Sequence, residues 1–153
     1  MKIFKRKFIK IFGLSILSLI LPINSLLASA KKKIINPNLS DQQKNVMFNE
    51  GTERPFSSEL LKEKRKGFYH CANCGHKLFA SNSKFDSGTG WPSFSEALPG
   101  AFKTQTDYSF GMERVEYHCA NCGAHHGHVF NDGPRESGKR FCSNGLCLIF
   151  KPE

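Results

Sequence analysis

From Phe68 onward, apolar and polar positions alternate in short bursts separated by Gly, Asn, Asp and Pro. The bursts are "GFYHC", "KLFA", "RVEYHC", "HVFND" and "RFCSNGLCLIF". In "ERVEYHC", Glu113, Val115, Tyr117 and Cys119 share one face, and Arg114, Glu116 and His118 the other. A period of two predicts strands. Ahead of this region, "LSDQQKNVMFNEG" predicts a helix. Ser40 serves as its N-cap, Gln43 three residues on completes a capping box, and Gly51 is the stop. "RPFSSELLKEKRKG" predicts a turn and a short helix ended by Gly67. Fourteen phenylalanines supply core volume. The expectation is a mainly β domain, an antiparallel sheet with short N-terminal helices.

The first thirty residues break this pattern. Lys2, Lys5, Arg6, Lys7 and Lys10 precede an apolar run from Ile11 to Leu21, and Ala28-Ser29-Ala30 offers a small-residue cleavage pattern. This reads as a secretory signal peptide over 1–30. Pro22 and Asn24 cut the apolar run short of the ~20 residues a spanning helix needs. "KRKFIK" loosely resembles a twin-arginine export signal, with an ordinary secretion signal as the plainer reading. The organisation expected is a signal peptide at 1–30, a solvated lysine-rich linker at 31–38 and one domain at 39–153.

Removing the signal also changes the charge. Five of the 22 basic residues go with it, leaving 17 against 13 acidic ones, a net charge of +4 instead of +9. A nucleic-acid-binding role loses its main support. Contact with a membrane is expected only during export, and the destination is an oxidising compartment such as a bacterial periplasm.

The hexapeptide "HCANCG" occurs at 70–75 and again at 118–123. Two CxxC turns of this kind present four thiolates, Cys71, Cys74, Cys119 and Cys122, to one structural zinc ion, with Gly75 and Gly123 allowing the tight turn after each pair. Two disulfides, or iron in place of zinc, are the rival readings. A four-cysteine site is closed and leaves no position for catalysis.

Two cysteines remain. Cys142 lies beside Arg140, with Asn144 two residues on. On a strand these three point the same way. A guanidinium next to a thiol favours the reactive thiolate. A buried structural cysteine fits the spacing equally well.

Several stretches together resemble methionine-R-sulfoxide reductase, the type B enzyme: "GTERPFS" at 51–57, "SGTGWPSF" at 87–94, "HHGHVFNDGP" at 125–134 and "RFCSNG" at 140–145, framed by the paired CxxC motifs. The similarity runs from about Leu39 to Phe150. It implies a zinc-stapled β fold, with one structural Zn(II) per chain, and reduction of the R epimer of methionine sulfoxide in proteins or peptides. Cys142 matches the family's nucleophile, His125 and His128 its two active-site histidines, and Asn144 its asparagine. Trp91 matches the tryptophan that packs on the substrate methyl group. Asp132 and Arg140 match supporting polar residues. A sulfoxide sulfur becomes electrophilic once its oxygen is protonated. His128 is the expected acid, with His125 orienting it, and Cys142 is left as a sulfenic acid.

The chain departs from the family in two places. Thr89 stands where many members carry a resolving cysteine. Cys147, five residues from Cys142, is too far along an extended strand to replace it, at ~3.3 Å per residue. It is read as a small buried hydrophobe, and an external thioredoxin-like donor is expected to reduce Cys142. His126 stands where the family has an apolar residue and is read as a substituted surface position. The competing functions are a zinc-ribbon binding module without catalysis and a general thiol–disulfide oxidoreductase.

Overall fold

A computed structural model describes residues 32–153. The expected signal peptide lies outside the described residues. Among the described residues there are one α-helix and nine strands, with the strands in two antiparallel sheets. The helix α1 is Asp41–Asn49. The strands are β1 Gly67–Cys71, β2 Lys77–Ala80, β3 Lys84–Phe85, β4 Ser93–Phe94, β5 Phe102–Asp107, β6 Arg114–Cys119, β7 His125–Phe130, β8 Arg140–Ser143 and β9 Leu148–Pro152. The small sheet runs β2-β1-β9 and the large one β3-β4-β8-β7-β6-β5. This is the expected mainly β architecture.

Aromatic rings from both sheets meet between them. Phe79 of β2 stacks on Phe94 of β4 at 4.0 Å, and Tyr69 of β1 meets the same Phe94 edge-on at 4.9 Å. Phe102, Tyr117 and Phe141 close around Phe79. Each such pair contributes roughly 0.5–1.5 kcal/mol beyond the area it buries.

The N-terminal half differs from expectation in three ways. The capping box forms: the Ser40 hydroxyl accepts from the Gln43 amide, and the Gln43 side chain accepts from the Ser40 amide. The helix nevertheless ends at Asn49, two residues before Gly51. Glu50 takes the left-handed conformation (φ 58°), and Gly51 is needed for its lack of a side chain, since a Cβ there would press on Asn45. The second expected helix shrinks to a single 3₁₀ turn at Glu59–Leu61, and Gly67 opens β1 instead of closing a helix. No apolar face in "KEKRK" gives a longer helix anything to bury. Residues 32–38, read as a solvated linker, are tied to the CxxC turns. The Asn73 side chain accepts from the Ile35 and Asn36 amides and donates to the Lys33 carbonyl, and the Lys33 amide donates to Cys122.

The C-terminal run "RFCSNGLCLIF" is two strands in different sheets. β8 stops at Ser143, a 3₁₀ turn covers Gly145–Cys147, and β9 joins the small sheet. The extended-strand distance between Cys142 and Cys147 therefore does not apply. What isolates Cys147 is burial: it is fully enclosed, and its carbonyl accepts from the Ala72 amide.

Candidate active site and metal centre

Each hexapeptide connects two paired strands, β1 to β2 and β6 to β7. In the first copy the Cys71 amide donates to the His76 carbonyl and the Gly75 amide to Cys71. In the second, Cys119 donates to Ala124 and Gly123 to Cys119. Gly75 and Gly123 have φ of 74° and 72°, where a side chain is strained. The turns bring Cys71 Sγ to 3.7 Å from Cys122 Sγ and Cys74 Sγ to 3.6 Å from Cys119 Sγ. All four sulfurs lie within 4.8 Å of one another. A disulfide requires about 2.05 Å, whereas tetrahedral M–S bonds of about 2.3 Å put sulfurs roughly 3.8 Å apart. The disulfide reading fails and the metal reading fits.

A β-bulge lies just beyond each copy. On β2, Tyr69 pairs with Phe79 and His70 with Lys77, leaving Leu78 as the extra residue. On β7, Tyr117 pairs with Gly127 and His118 with His125, leaving His126. A bulge resets side-chain parity. His125 and His128 are three apart and would face opposite ways on a regular strand. Past the bulge they share a face, with ring centroids 5.7 Å apart. The same step turns His126 into the core, correcting the surface reading. It is fully buried against Phe102 and Tyr117, neither ring nitrogen has a partner, and burial pushes its pKa down to about 3.

The register then lines up one row across five strands: Ser93, Cys142, His128, Glu116 and Gln105 are successive cross-strand partners. Gly127 lets β7 approach β8 here, since a Cβ on it would collide with the Cys142 carbonyl oxygen. Over the row sits a cavity of about 140 Å³ walled by Trp91, Cys142, His128, Asn144, Arg114, Phe130 and Thr52. A larger cleft of about 620 Å³ lies beside α1, but none of the expected site residues lines it.

Burial raises the Cys142 thiol, and Arg140 and Thr89 only partly pull it back. Arg140 acts on the thiol in the expected direction, but burial outweighs it and the net shift is upward. Its guanidinium also holds Asp132 with two bonds of 2.8 Å and lies 4.4 Å over the Phe130 ring. Burial lowers His128, with a hydrogen bond to Asp107 opposing. His128 Nε2 lies 2.8 Å from Asp107 Oδ2, which Arg114 also holds at 2.6 Å. A proton on Nε2 leaves Nδ1 as the nitrogen free for proton exchange. His125 does not line the cavity. Its Nδ1 contacts Glu116 Oε1.

Trp91 is held by its Nε1–H, which donates to the Glu53 carbonyl at 3.1 Å. The Asn144 amide faces inward: its oxygen accepts from the Glu53 amide at 3.0 Å and its nitrogen donates to the His126 carbonyl at 3.2 Å. The Glu53 carboxylate in turn accepts from the Gly145 and Leu146 amides. Burial raises Glu53 despite those two bonds. Sequence reasoning does not find Glu53, Asp107, Arg114 and Glu116, because single charged residues in loops and strands carry no spacing signal. "GTERPFS" is the only hint for Glu53.

A protein-family model described as SelR, the SelR domain, matches residues 39–152. The peptide methionine sulfoxide reductase MsrB of Methanosarcina barkeri is 48 % identical over 123 residues, 80 % of this chain and 84 % of the relative. That of Variovorax paradoxus is 57 % identical over 101 residues, covering 65 % and 74 % of the two chains. That of Escherichia coli O45:K1 is 50 % identical over 117 residues, covering 76 % and 85 %.

Proposed function

Since the chain belongs to the SelR-domain family of MsrB oxidoreductases, we propose that it reduces the R epimer of methionine sulfoxide in peptides and proteins, with Cys142 as the nucleophile. The observation that carries this reading is the direct pairing of Cys142 with His128 beneath a cavity walled by Trp91.

The shifts of the two groups set the starting state. A raised thiol and a lowered imidazole make a neutral pair near pH 7, with the one proton the reaction needs on Cys142. With sulfoxide bound, His128 Nδ1 takes that proton and hands it to the sulfoxide oxygen as sulfur attacks sulfur. The substrate S–O bond breaks and a Cys142 S–O bond forms. The substrate sulfur gains two electrons and leaves as the thioether. Cys142 loses two and becomes a sulfenic acid carrying the transferred proton. Asp107 fixes the His128 tautomer, and the indole of Trp91 gives the methyl group an apolar wall.

Thr89 sits near enough to Cys142 to hydrogen-bond it, and Cys147 is sealed in the interior. The sulfenic acid is therefore reduced from outside: two thiols of a thioredoxin-like donor become a disulfide and water leaves. The ion on Cys71, Cys74, Cys119 and Cys122 is zinc and serves the scaffold alone. The N-terminal segment directs the protein out of the cytoplasm, where it repairs oxidised methionine in exported proteins.

The test is epimer-resolved turnover of a dabsylated sulfoxide with excess dithiothreitol. Loss of the R epimer only, abolished by Cys142→Ser with metal retained, is the expected result. Turnover of the S epimer, or full activity of the variant, overturns the reading.

A further inference from the structure

Beside the four cysteines lies a second group of metal-ligating side chains. Glu116, His118 and His125 are all at least nine-tenths buried, and each offers one donor atom within 4.8 Å of the others. Glu116 Oε1 contacts His125 Nδ1, and Oε2 lies 3.0 Å from His118 Nε2. Neither ring nitrogen is in a hydrogen bond of acceptable geometry, nor is Oε1.

The repeat explains which proton His118 carries. His70 Nδ1 lies 2.9 Å from the Gly75 carbonyl, and His118 Nδ1 lies 3.3 Å from the Gly123 carbonyl in the second copy. A carbonyl only accepts, so Nδ1 bears the hydrogen and donates. Nε2 then faces a carboxylate oxygen in a buried site. Gln105 Nε2–H donates to Oε2 at 2.7 Å and satisfies one more lone pair of the carboxylate, but it does not stand between Glu116 and His118. Between Nε2 and that oxygen a cation is needed, either a second proton on the ring or a metal ion.

We propose that Glu116, His118 and His125 form a second metal site, distinct from the four-cysteine centre, for a borderline divalent ion such as Zn²⁺ or Co²⁺. Two imidazoles and a carboxylate are the donor set such ions take, at M–N and M–O distances of about 2.1 Å. Bonds of that length put tetrahedral ligand atoms roughly 3.4 Å apart, so from donors now within 4.8 Å of one another the Glu116–His125 contact must open to admit the ion. The bulge at His126 builds the site, because it alone brings His125 opposite His118. Once bound, the ion fixes the His125 ring against His128.

The test uses full-length protein with its cysteine site already filled with zinc, titrated with Co²⁺ and desalted before elemental analysis. One further equivalent is expected, with visible d–d bands and no sulfur-to-metal charge transfer. His118→Gln and Glu116→Gln should each lose that second equivalent while keeping the first, and retention of the first is their folding control. In wild-type protein, the ¹⁵N resonances of two imidazoles should move on adding Zn²⁺, an arm that depends on no variant. No second equivalent, a charge-transfer band, an unchanged second equivalent in His118→Gln, or histidine resonances showing a proton where the ion should be would each overturn it. None of these readings depends on reductase activity.

Discussion

At 70–75 and 118–123 the same six residues build the same turn, with matching amide-to-carbonyl bonds, matching left-handed glycines and a matching bulge four residues beyond the second cysteine. The two copies part in their outgoing strands. After the first come Lys77 and Leu78, and the outgoing strand only packs core. After the second come His125, His126 and His128, and the outgoing strand sets His128 opposite Cys142, the face to which the proposed reaction assigns proton transfer. One scaffold device is used once for stability and once to place chemistry, and the bulge is the means: it sets two histidines three residues apart on one face at the cost of turning a third inward.

The strongest way to break the equivalence of the turns is to remove a ligand from one of them. Cys74→Ser should cost the metal and cooperative folding together, as seen by elemental analysis and calorimetry. A structural zinc site contributes on the order of 10 kcal/mol, comparable to a small domain's whole stability.

Next in size is the difference between the outgoing strands. His128→Asn should lower kcat/KM about 10²- to 10⁴-fold, whereas Ala80→Ser, at the equivalent place in the first copy, should leave turnover unchanged. The pH profile sharpens this. His128 is held below its ordinary 6.5 and Cys142 above its ordinary 9.0, so activity should be flat between those values. It should fall on the acid side only below 6.5 and on the basic side only above 9.0. The acid limb should disappear in His128→Asn.

Smaller effects come from exchanging the two bulge residues. Leu78→His should destabilise by about 2–4 kcal/mol, since it removes a fully buried aliphatic side chain and buries a polar ring. His126→Leu should stabilise by about 1–2 kcal/mol by removing two unpartnered nitrogens. The sign with pH is set by a folded pKa of about 3 against the ordinary 6.5. The contribution of His126 is fully present above 6.5 and is lost as pH falls toward 3, because the unfolded chain takes up the proton first. The gap between His126→Leu and wild type should therefore widen in acid.

These residues also show where a sequence can be read and where it cannot. A strand through "FYHC", the Ser40 capping box and the gathering of the four CxxC cysteines are dictated by local spacing and residue chemistry, and they appear as expected. The fate of His126 depends on a two-against-one register that exists only once β6 and β7 pair. Alternation along β7 alone gives the wrong face. An alignment of the two hexapeptides extended beyond the second cysteine sets Leu78 against His126 and points to a buried histidine. Strand alternation puts Asn144 on the Cys142 face, and it does wall the same cavity, but it lies past the end of β8 and its amide oxygen accepts from Glu53, 91 residues away. Proximity in sequence makes Arg140 the group that ionises Cys142. Only the tertiary structure shows that Asp132 takes that guanidinium and that burial of the thiol outweighs its field.

In the proposed reaction one proton and one oxygen pass between the sulfoxide and Cys142 with no second cysteine taking part. The most direct measurement is mass spectrometry of enzyme mixed with excess R-sulfoxide, without reductant and with a sulfenic-acid trap. The predicted result is the trap on Cys142, one methionine released per chain, and Cys147 unmodified. A Cys142–Cys147 disulfide, or methionine formed while Cys142 stays untouched, would contradict it.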